Sequence, residues 1–442
     1  MGVAERLRTV AASMGRALRH RNYRLFFLGQ GTSLIGTWLT RVAMSWLVYR
    51  LTGSELLLGL VGFAGQIPTF LLAPIAGVIV DRSDRHRVLV ITQALAMVQS
   101  ALLAALTITG VITVTQVVVL ALFQGVINAF DMPARQAFVV QMVEAREDLA
   151  NAIALNSSMV NGARLLGPAV AGVLIAAVGE GWCFAIDAAS YLAVIASLLA
   201  MRIAAQPEHR GPAHFLAELA EGVRYVAGFS PVRTILLLLA FVSLTAMPYT
   251  VLMPVFAAEV LHGGPHTLGM LMAATGVGAL GAALWLASRR TVLGLGRLIA
   301  VAGGTFGTAL IAFSLSRSVW LSVPLLVAAG AGMMLQMASS NTLVQTLVDE
   351  RVRGRVMSFY AMAFLGMTPF GSLAAGWLGQ QIGTPATVRL GGAATVVAVL
   401  LYVRKLPELR RAIRPIYERL GILPEIADGL GQTTNLASPP ER

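Results

Sequence analysis

The stretch Gly77-Val78-Ile79-Val80-Asp81-Arg82-Ser83-Asp84-Arg85-His86-Arg87 joins two long apolar runs, residues 56–80 and 88–110. Each run is near the ~20 residues a helix needs to cross hydrocarbon, and neither contains a charged residue. The five ionised side chains between them, Asp81, Arg82, Asp84, Arg85 and Arg87, need water. The segment therefore reads as a hairpin of two membrane helices joined by a short aqueous loop.

Working outward in both directions, ten further runs appear, at 25–49, 114–130, 152–178, 182–201, 234–256, 267–287, 298–315, 319–343, 358–379 and 386–403. Most are apolar on all faces, as expected where lipid or other helices surround them. β-Barrel alternation is absent. Composition agrees: of 442 residues 57% are hydrophobic and 12% charged, whereas soluble domains carry about a quarter charged residues. Twelve spans of ~20 residues use nearly all of the roughly 252 apolar residues, 57% of 442. The expected fold is an all-α integral membrane protein with twelve transmembrane helices in two six-helix bundles.

The 33 basic residues outnumber the 21 acidic ones, a net charge of +12. In a soluble chain this would suggest nucleic acid; across short membrane loops it sets orientation. With the N-terminus inside, 28 of the 33 fall on the cytosolic side, Arg50 and Arg317 lie outside, and Arg41, Arg164 and Arg389 lie in or near the membrane. Both termini are thus expected in the cytosol of a bacterial inner or plasma membrane. Residues 1–24 are basic without an apolar core, which argues against a cleaved signal peptide. A single cysteine, Cys183, excludes an intramolecular disulfide and any cysteine-based metal site. His262 and His266 are spaced for a metal on a helix, but Gly263-Gly264-Pro265 between them forbids one. No phosphate-binding loop and no nucleophile–base arrangement is present, so neither an enzyme, a cofactor nor direct use of ATP is expected.

Domain boundaries follow from the longest interior break, residues 202–233, which carries Pro207, Gly211 and Pro212 and then an amphipathic stretch at 215–225. It separates bundles at 25–201 and 234–403; residues 1–24 form a basic amphipathic start, and 404–442 a cytosolic tail with a disordered end. The halves show weak internal similarity. Leu58-Gly59 recurs as Leu268-Gly269, and Gly167 with Gly172 recurs as Gly371 with Gly376, at offsets of 210 and 204. Such parallel repeats place a transporter's substrate between its halves near mid-membrane.

The hairpin loop also resembles the signature G-x-x-x-D-R-x-G-R-[KR] of the major facilitator superfamily, with Asp84 at its second Gly and His86 at its last basic position. Asn22-Tyr23-Arg24, Gly36-Thr37-Trp38, Trp46-Leu47-Val48-Tyr49 and Leu252-Met253-Pro254-Val255-Phe256 look like the drug:proton antiporter branch that includes siderophore and macrolide exporters. The resemblance covers about residues 20–405 and implies a secondary transporter working by alternating access as a monomer. It further implies a cytosolic gate at Gly77, Asp81, Arg82 and Arg85, to which Asp131 and Arg135 on the fourth span are added. When that side shuts, Asp81 is expected at the N-terminus of the eleventh span, whose dipole favours an anion. The three arginines of the loop also simply satisfy positive-inside bias. Asn161, Gly167, Pro168 and Gly172 on the fifth span resemble the antiporter motif G-x-x-x-G-P-x-x-G-G; a plain structural kink fits them equally.

Charges within hydrocarbon are costly and mark function. Arg41 lies on the first span, Arg164 on the fifth and Asp187 on the sixth. The economical arrangement pairs Asp187 with an arginine, either as the proton-coupling carboxylate or as a static helix–helix pair. Thr37, Trp38, Gln124, Tyr249, Gln336 and Asn341 are candidate cavity residues. The expected function is proton-coupled export of small amphipathic molecules of drug or siderophore type, the alternative an uncoupled facilitator or importer of a small metabolite or lipid. The expected partners are that substrate, protons and the bilayer.

Overall fold

The computed structural model describes residues 16–143, 146–202, 215–289 and 291–419, and every regular element among them is helical. The expectations for the extreme N-terminus, the Pro-rich part of the linker and the disordered tail end lie outside the described residues.

The first six helices are α1 (Arg21–Thr52), α2 (Glu55–Asp81), α3 (Arg85–Ile108), α4 (Val114–Met142), α5 (Leu149–Val178) and α6 (Glu180–Leu199). A short amphipathic helix, α7 (Phe215–Gly228), occupies the linker. Then come α8 (Ser230–Val260), α9 (Pro265–Ser288), α10 (Leu295–Leu315), α11 (Val319–Leu347), α12 (Glu350–Ile382) and α13 (Thr384–Arg419). Eleven of these are long and apolar enough to cross a membrane. The remaining long helix, α1, has 32 residues, about 48 Å at 1.5 Å per residue. Gln30, Ser33, Thr37, Thr40 and Arg41 lower its apolarity; Gln30 and Ser33 are buried against protein, Thr37 and Thr40 half-buried, and Arg41 is exposed.

Tight turns set the hairpins. Gly53, at φ 58°, closes α1 in the left-handed region that glycine adopts without strain, and the Ser54 hydroxyl then accepts from Leu57 N to start α2. The departure from the signature loop has a local cause: the Asp84 carboxylate accepts from the backbone of His86 and Arg87 and caps α3. Thr113 and Gln116 form a reciprocal capping box at α4.

Helices α1 to α6 pack among themselves, α1 on α5 and α6, α2 and α3 on α4, while α8 to α13 form a second group. The groups meet mainly through two crossings, α2 with α12 and α5 with α9. Successive long helices reverse direction, so the first and last emerge at one end, here called the terminus end. Outward faces carry unpartnered large apolar side chains such as Leu284, Val301 and Trp320, which suits contact with lipid and not with water.

Two helices are interrupted by proline. Pro248 and Pro254 in α8 each remove a backbone donor, and the chain passes through a 3-10 turn at Met247–Leu252 and a π turn at Phe256–Val260. In α12 a π turn at Met362–Gly366 precedes Pro369. Helix α13 runs on to Arg419, and its stripe Leu406, Leu409, Ile413 and Tyr417 is buried. That face packs on the protein, around a cavity of about 340 Å³ also lined by Ile235 and Leu343.

Candidate substrate cavity and gates

At the far end the halves meet through backbone. Gly59 of α2 faces Gly376 of α12 so closely that a Cβ on Gly59 would lie 2.9 Å from Gly376 Cα and 2.5 Å from Ser372 O. Gly172 of α5 faces Gly269 of α9 in the same way: a Cβ on Gly172 would lie 2.9 Å from Gly269 Cα and 2.8 Å from Pro265 O. In both crossings the second contact is the carbonyl four residues before the partner glycine. The four glycines of the two sequence offsets thus form two like crossings between the halves. Gly167 and Gly371 correspond too, each seated on the first helix of its own half, against Trp38 and against Leu244 and Pro248. Side chains add to this end: Tyr49 Oη donates to Glu259 at 3.1 Å and Thr384 Oγ1 to Glu55 at 3.5 Å.

The terminus end is different. Asp81 is exposed and reaches Arg85 within its own loop at 3.4 Å, and a Cβ on Gly77 would meet nothing within 4 Å. Arg82 is exposed. No neighbouring helix among the described residues comes close to Gly77. The cross-contact at this end comes from the linker: Arg355 on α12 pairs with Glu221 on α7 at 2.5 Å, and Gly222 sits against the Phe359 ring. Burial on α7, with the nearby Asp349 charge, raises the Tyr225 phenol pKa above its ordinary value.

Asp131 and Arg135 are displaced from the expected gate. Asp131 is 2% exposed; it accepts from Thr92 Oγ1 at 3.0 Å and Gln93 Nε2 at 2.7 Å, and pairs with Arg135 on the next turn. The stripe on α4 that carries them faces α3 and not the other half.

Asp187 is not paired with arginine. Its Oδ2 accepts from Thr40 Oγ1 at 2.7 Å and Ser100 Oγ at 2.8 Å, while Oδ1 is buried without a partner among the described residues. A side chain on Gly36 would run into that oxygen at 2.6 Å, so the glycine makes room for the carboxylate. Asp187 therefore sits inside the first half, between α1, α3 and α6.

The two arginines lie elsewhere. The Arg41 guanidinium stacks over the Trp38 ring, 4.7 Å from its centroid, and is exposed. Arg164 Nη2 reaches across to Met333 Sδ on α11 at 4.0 Å. Arg164 is near enough to Arg41 for the two charges to repel, and its charge is also felt by Tyr249. Tyr249, on the broken part of α8, is held by Thr275 and lies edge-on to Phe306 at 6.0 Å. Trp38, Arg41, Arg164, Tyr249 and Met333 thus come from α1, α5, α8 and α11 and converge between the halves.

Other expected cavity residues divide. Thr37 bonds back to Ser33 O and touches Tyr191. Gln124 donates to Asn128 on its own helix, and Asn341 joins Gln345 and Tyr360. Gln336 is 2% exposed and packs beside Gly303 of α10, within the second half. Asn161 bonds Ser157 O on its own helix. Met333, Thr40 and Ser100 were missed. A hydroxyl that bonds an acid looks, in sequence, like one that bonds its own helix.

Arrangement and fold define a transporter of the major facilitator class. Solved structures that share the fold include a bacterial homologue of the iron transporter ferroportin in an inward-facing state (TM-score 0.68, 16% identity, covering 87% of this chain and 98% of that one). A second is a bacterial homologue of the lysosomal transporter Spinster, inward-facing and unoccupied (TM-score 0.64, 14% identity, 90% and 98%). The transmembrane secretion effector family matches residues 12–418, and the chain belongs to that family. Among its relatives, the staphyloferrin A transporter of Staphylococcus aureus is 26% identical over 383 residues, 85% of this chain and 94% of the relative. The multidrug efflux pump Tap of Mycolicibacterium fortuitum is 27% identical over 398 residues, 87% and 96%.

Proposed function

We propose that this chain exports small amphipathic molecules from the cytosol by alternating access, in exchange for protons, and that the structure is the cytosol-open state. The observation that carries the reading is the asymmetry between the ends. Two like glycine crossings seal the far end, while at the terminus end the side-chain partners of the Gly77 to Arg87 loop among the described residues lie in its own half. Arginine sorting places that loop in the cytosol, and the inward-facing states of the two similar structures agree. The export relatives favour the outward direction.

Asp187 is the proton carrier in this reading. It is the membrane-embedded carboxylate with a buried oxygen lacking a partner, and its two donors are hydroxyls that can either give or accept when the acid is protonated. In the cytosol-closed state Asp81 moves to the N-terminal turn of α12 and the loop arginines bridge the halves. The test is transport in everted vesicles loaded with a pH-sensitive dye. Substrate addition should release protons from the lumen, and Asp187→Asn should abolish that release. Full uphill transport by Asp187→Asn under a pH gradient would remove Asp187 as the proton carrier, and substrate movement in the wild type without any proton release would leave a facilitator of the same fold.

A further inference from the structure

Arg41 and Arg164 stand at membrane depth near enough to repel, on two helices that touch where Trp38, under the Arg41 guanidinium, packs against Gly167, one turn from Arg164. Among the described residues Arg41 has the face of Trp38, and Arg164 the sulfur of Met333 and the neighbourhood of Tyr249. Neither forms an ion pair among the described residues, whereas intramembrane arginines ordinarily pair with one another's counterions or with backbone carbonyls. Acids on the spanning helices are engaged elsewhere. Asp187 is held by Thr40 and Ser100, Asp131 by Gln93 and Arg135, Glu180 by Arg50 and Glu259 by Tyr49. The negative charge that two mutually repelling guanidinium groups require must then come from outside the chain.

We propose that this pair is the anion-binding subsite of the transport cavity, and that the transported molecule is an amphipathic carboxylate; this rests on the transporter reading above. A guanidinium presents a planar fork of donors that matches a carboxylate bidentately, and two such forks from α1 and α5 hold the head group. Trp38, Tyr249 and Met333 supply the apolar wall for the body of the molecule, the usual composition of a small-molecule site. Gly167 takes part indirectly. It seats Trp38 against α5, and Trp38 in turn carries the Arg41 guanidinium on its ring. Because Arg164 also touches α11, an anion bound there reports to both halves, and its arrival removes the repulsion that holds the two arginines apart.

The experiment uses the full-length purified protein and two dyes on one xanthene skeleton, anionic carboxyfluorescein and cationic rhodamine 123, with binding read by fluorescence anisotropy. The wild type should bind carboxyfluorescein and not rhodamine 123. Arg41→Gln and Arg164→Gln should each weaken anion binding at least tenfold. Arg41→Lys should weaken it less while keeping the preference for the anion, and the pair Arg41→Glu with Arg164→Glu should reverse the preference. Melting midpoints of each variant separate loss of the site from loss of the fold. The proposal is overturned if the wild type binds the cation as well as the anion, if it binds no carboxyfluorescein, or if folded Gln variants bind it undiminished. Asp187→Asn distinguishes the two readings: anion binding retained with coupled transport lost keeps the subsite, while undiminished anion binding in folded Gln variants, with wild-type coupling intact in vesicles, sinks only the subsite.

Discussion

Asp187 shows why one residue's position can be legible while its partners are not. A carboxylate within an apolar run is conspicuous, as are Arg41 and Arg164, and helical spacing shows which residues share a face with each. It does not show which neighbouring helix that face meets. The sequence favours the longest-range attraction, an ion pair, but the structure gives Asp187 Oδ2 the hydroxyls of Thr40 and Ser100, and Arg164 reaches across to the other half. Gly36 is the signal that was available, since a glycine one helical turn before Thr40 leaves space for a side chain from α6. Replacing Thr40 by Val removes one of two donors to Asp187, and interhelical hydrogen bonds in membranes are worth about 0.6 kcal/mol on average. Thr40→Val should therefore cost little stability yet shift the pH profile of transport, whereas Gly36→Val should lower both melting midpoint and transport. A Thr40→Val protein with an unaltered pH profile would remove Asp187 from the coupling path.

At the scale of elements, the glycines that recur between the halves were visible as offsets, but their pairing was not. Similarity suggested Gly59 with Gly269 and Gly172 with Gly376 as equivalents; in space each glycine pairs with a member of the other set, Gly59 with Gly376 and Gly172 with Gly269. A rotational pseudo-symmetry between halves produces this outcome, because a contact between element a of one half and element b of the other implies its mirror in chain order. The consequence is a seal without side chains. Gly59→Val or Gly269→Val would set a branched side chain into backbone that a single Cβ already approaches at under 3 Å, where backbone cannot yield as a flexible side chain does. Each variant should favour the far-end-open state, raising aqueous labelling of a cysteine introduced at Thr384 several-fold. Helix α7 presents the opposite case. Its amphipathicity was legible, its docking on α12 was not. Glu221 and Arg355 are both partly exposed, and such pairs contribute about 0–1 kcal/mol, so Glu221→Ala should leave the melting midpoint nearly unchanged. Gly222→Leu should instead displace α7, because its Cβ would already be 2.7 Å from the Phe359 ring, and proteolysis within residues 203–214 should quicken.

For the whole molecule, the fold class and the segregation of charge were written in the composition, since membrane insertion depends on local apolarity and on arginine placement, both additive along the chain. The conformational state was not, because alternating access requires one sequence to satisfy two packings that differ at their gates. Helices whose contacts change between states must avoid deep side-chain interlocking, and the two crossings built on Gly59–Gly376 and Gly172–Gly269 meet that condition. In the proposed cytosol-closed state the terminus end closes through charge: Asp81 and Arg82 are exposed here, and Arg85 is half-buried and reaches Asp81 within its own half. Distances between spin labels can follow both ends at once, and the chain suits the method because Cys183 is fully buried. Labels at Ser83 and Arg353 should report a long, broad distance at the terminus end, and labels at Gly53 and Thr384 a short, narrow one at the far end. Introducing Gly59→Val together with Gly269→Val should exchange the two patterns, long at the far end and short at the terminus end, while Asp81→Asn in that background should restore breadth at the terminus end. If both ends lengthen together, the halves have separated instead of rocking, and alternation about a central cavity is the wrong description of this protein.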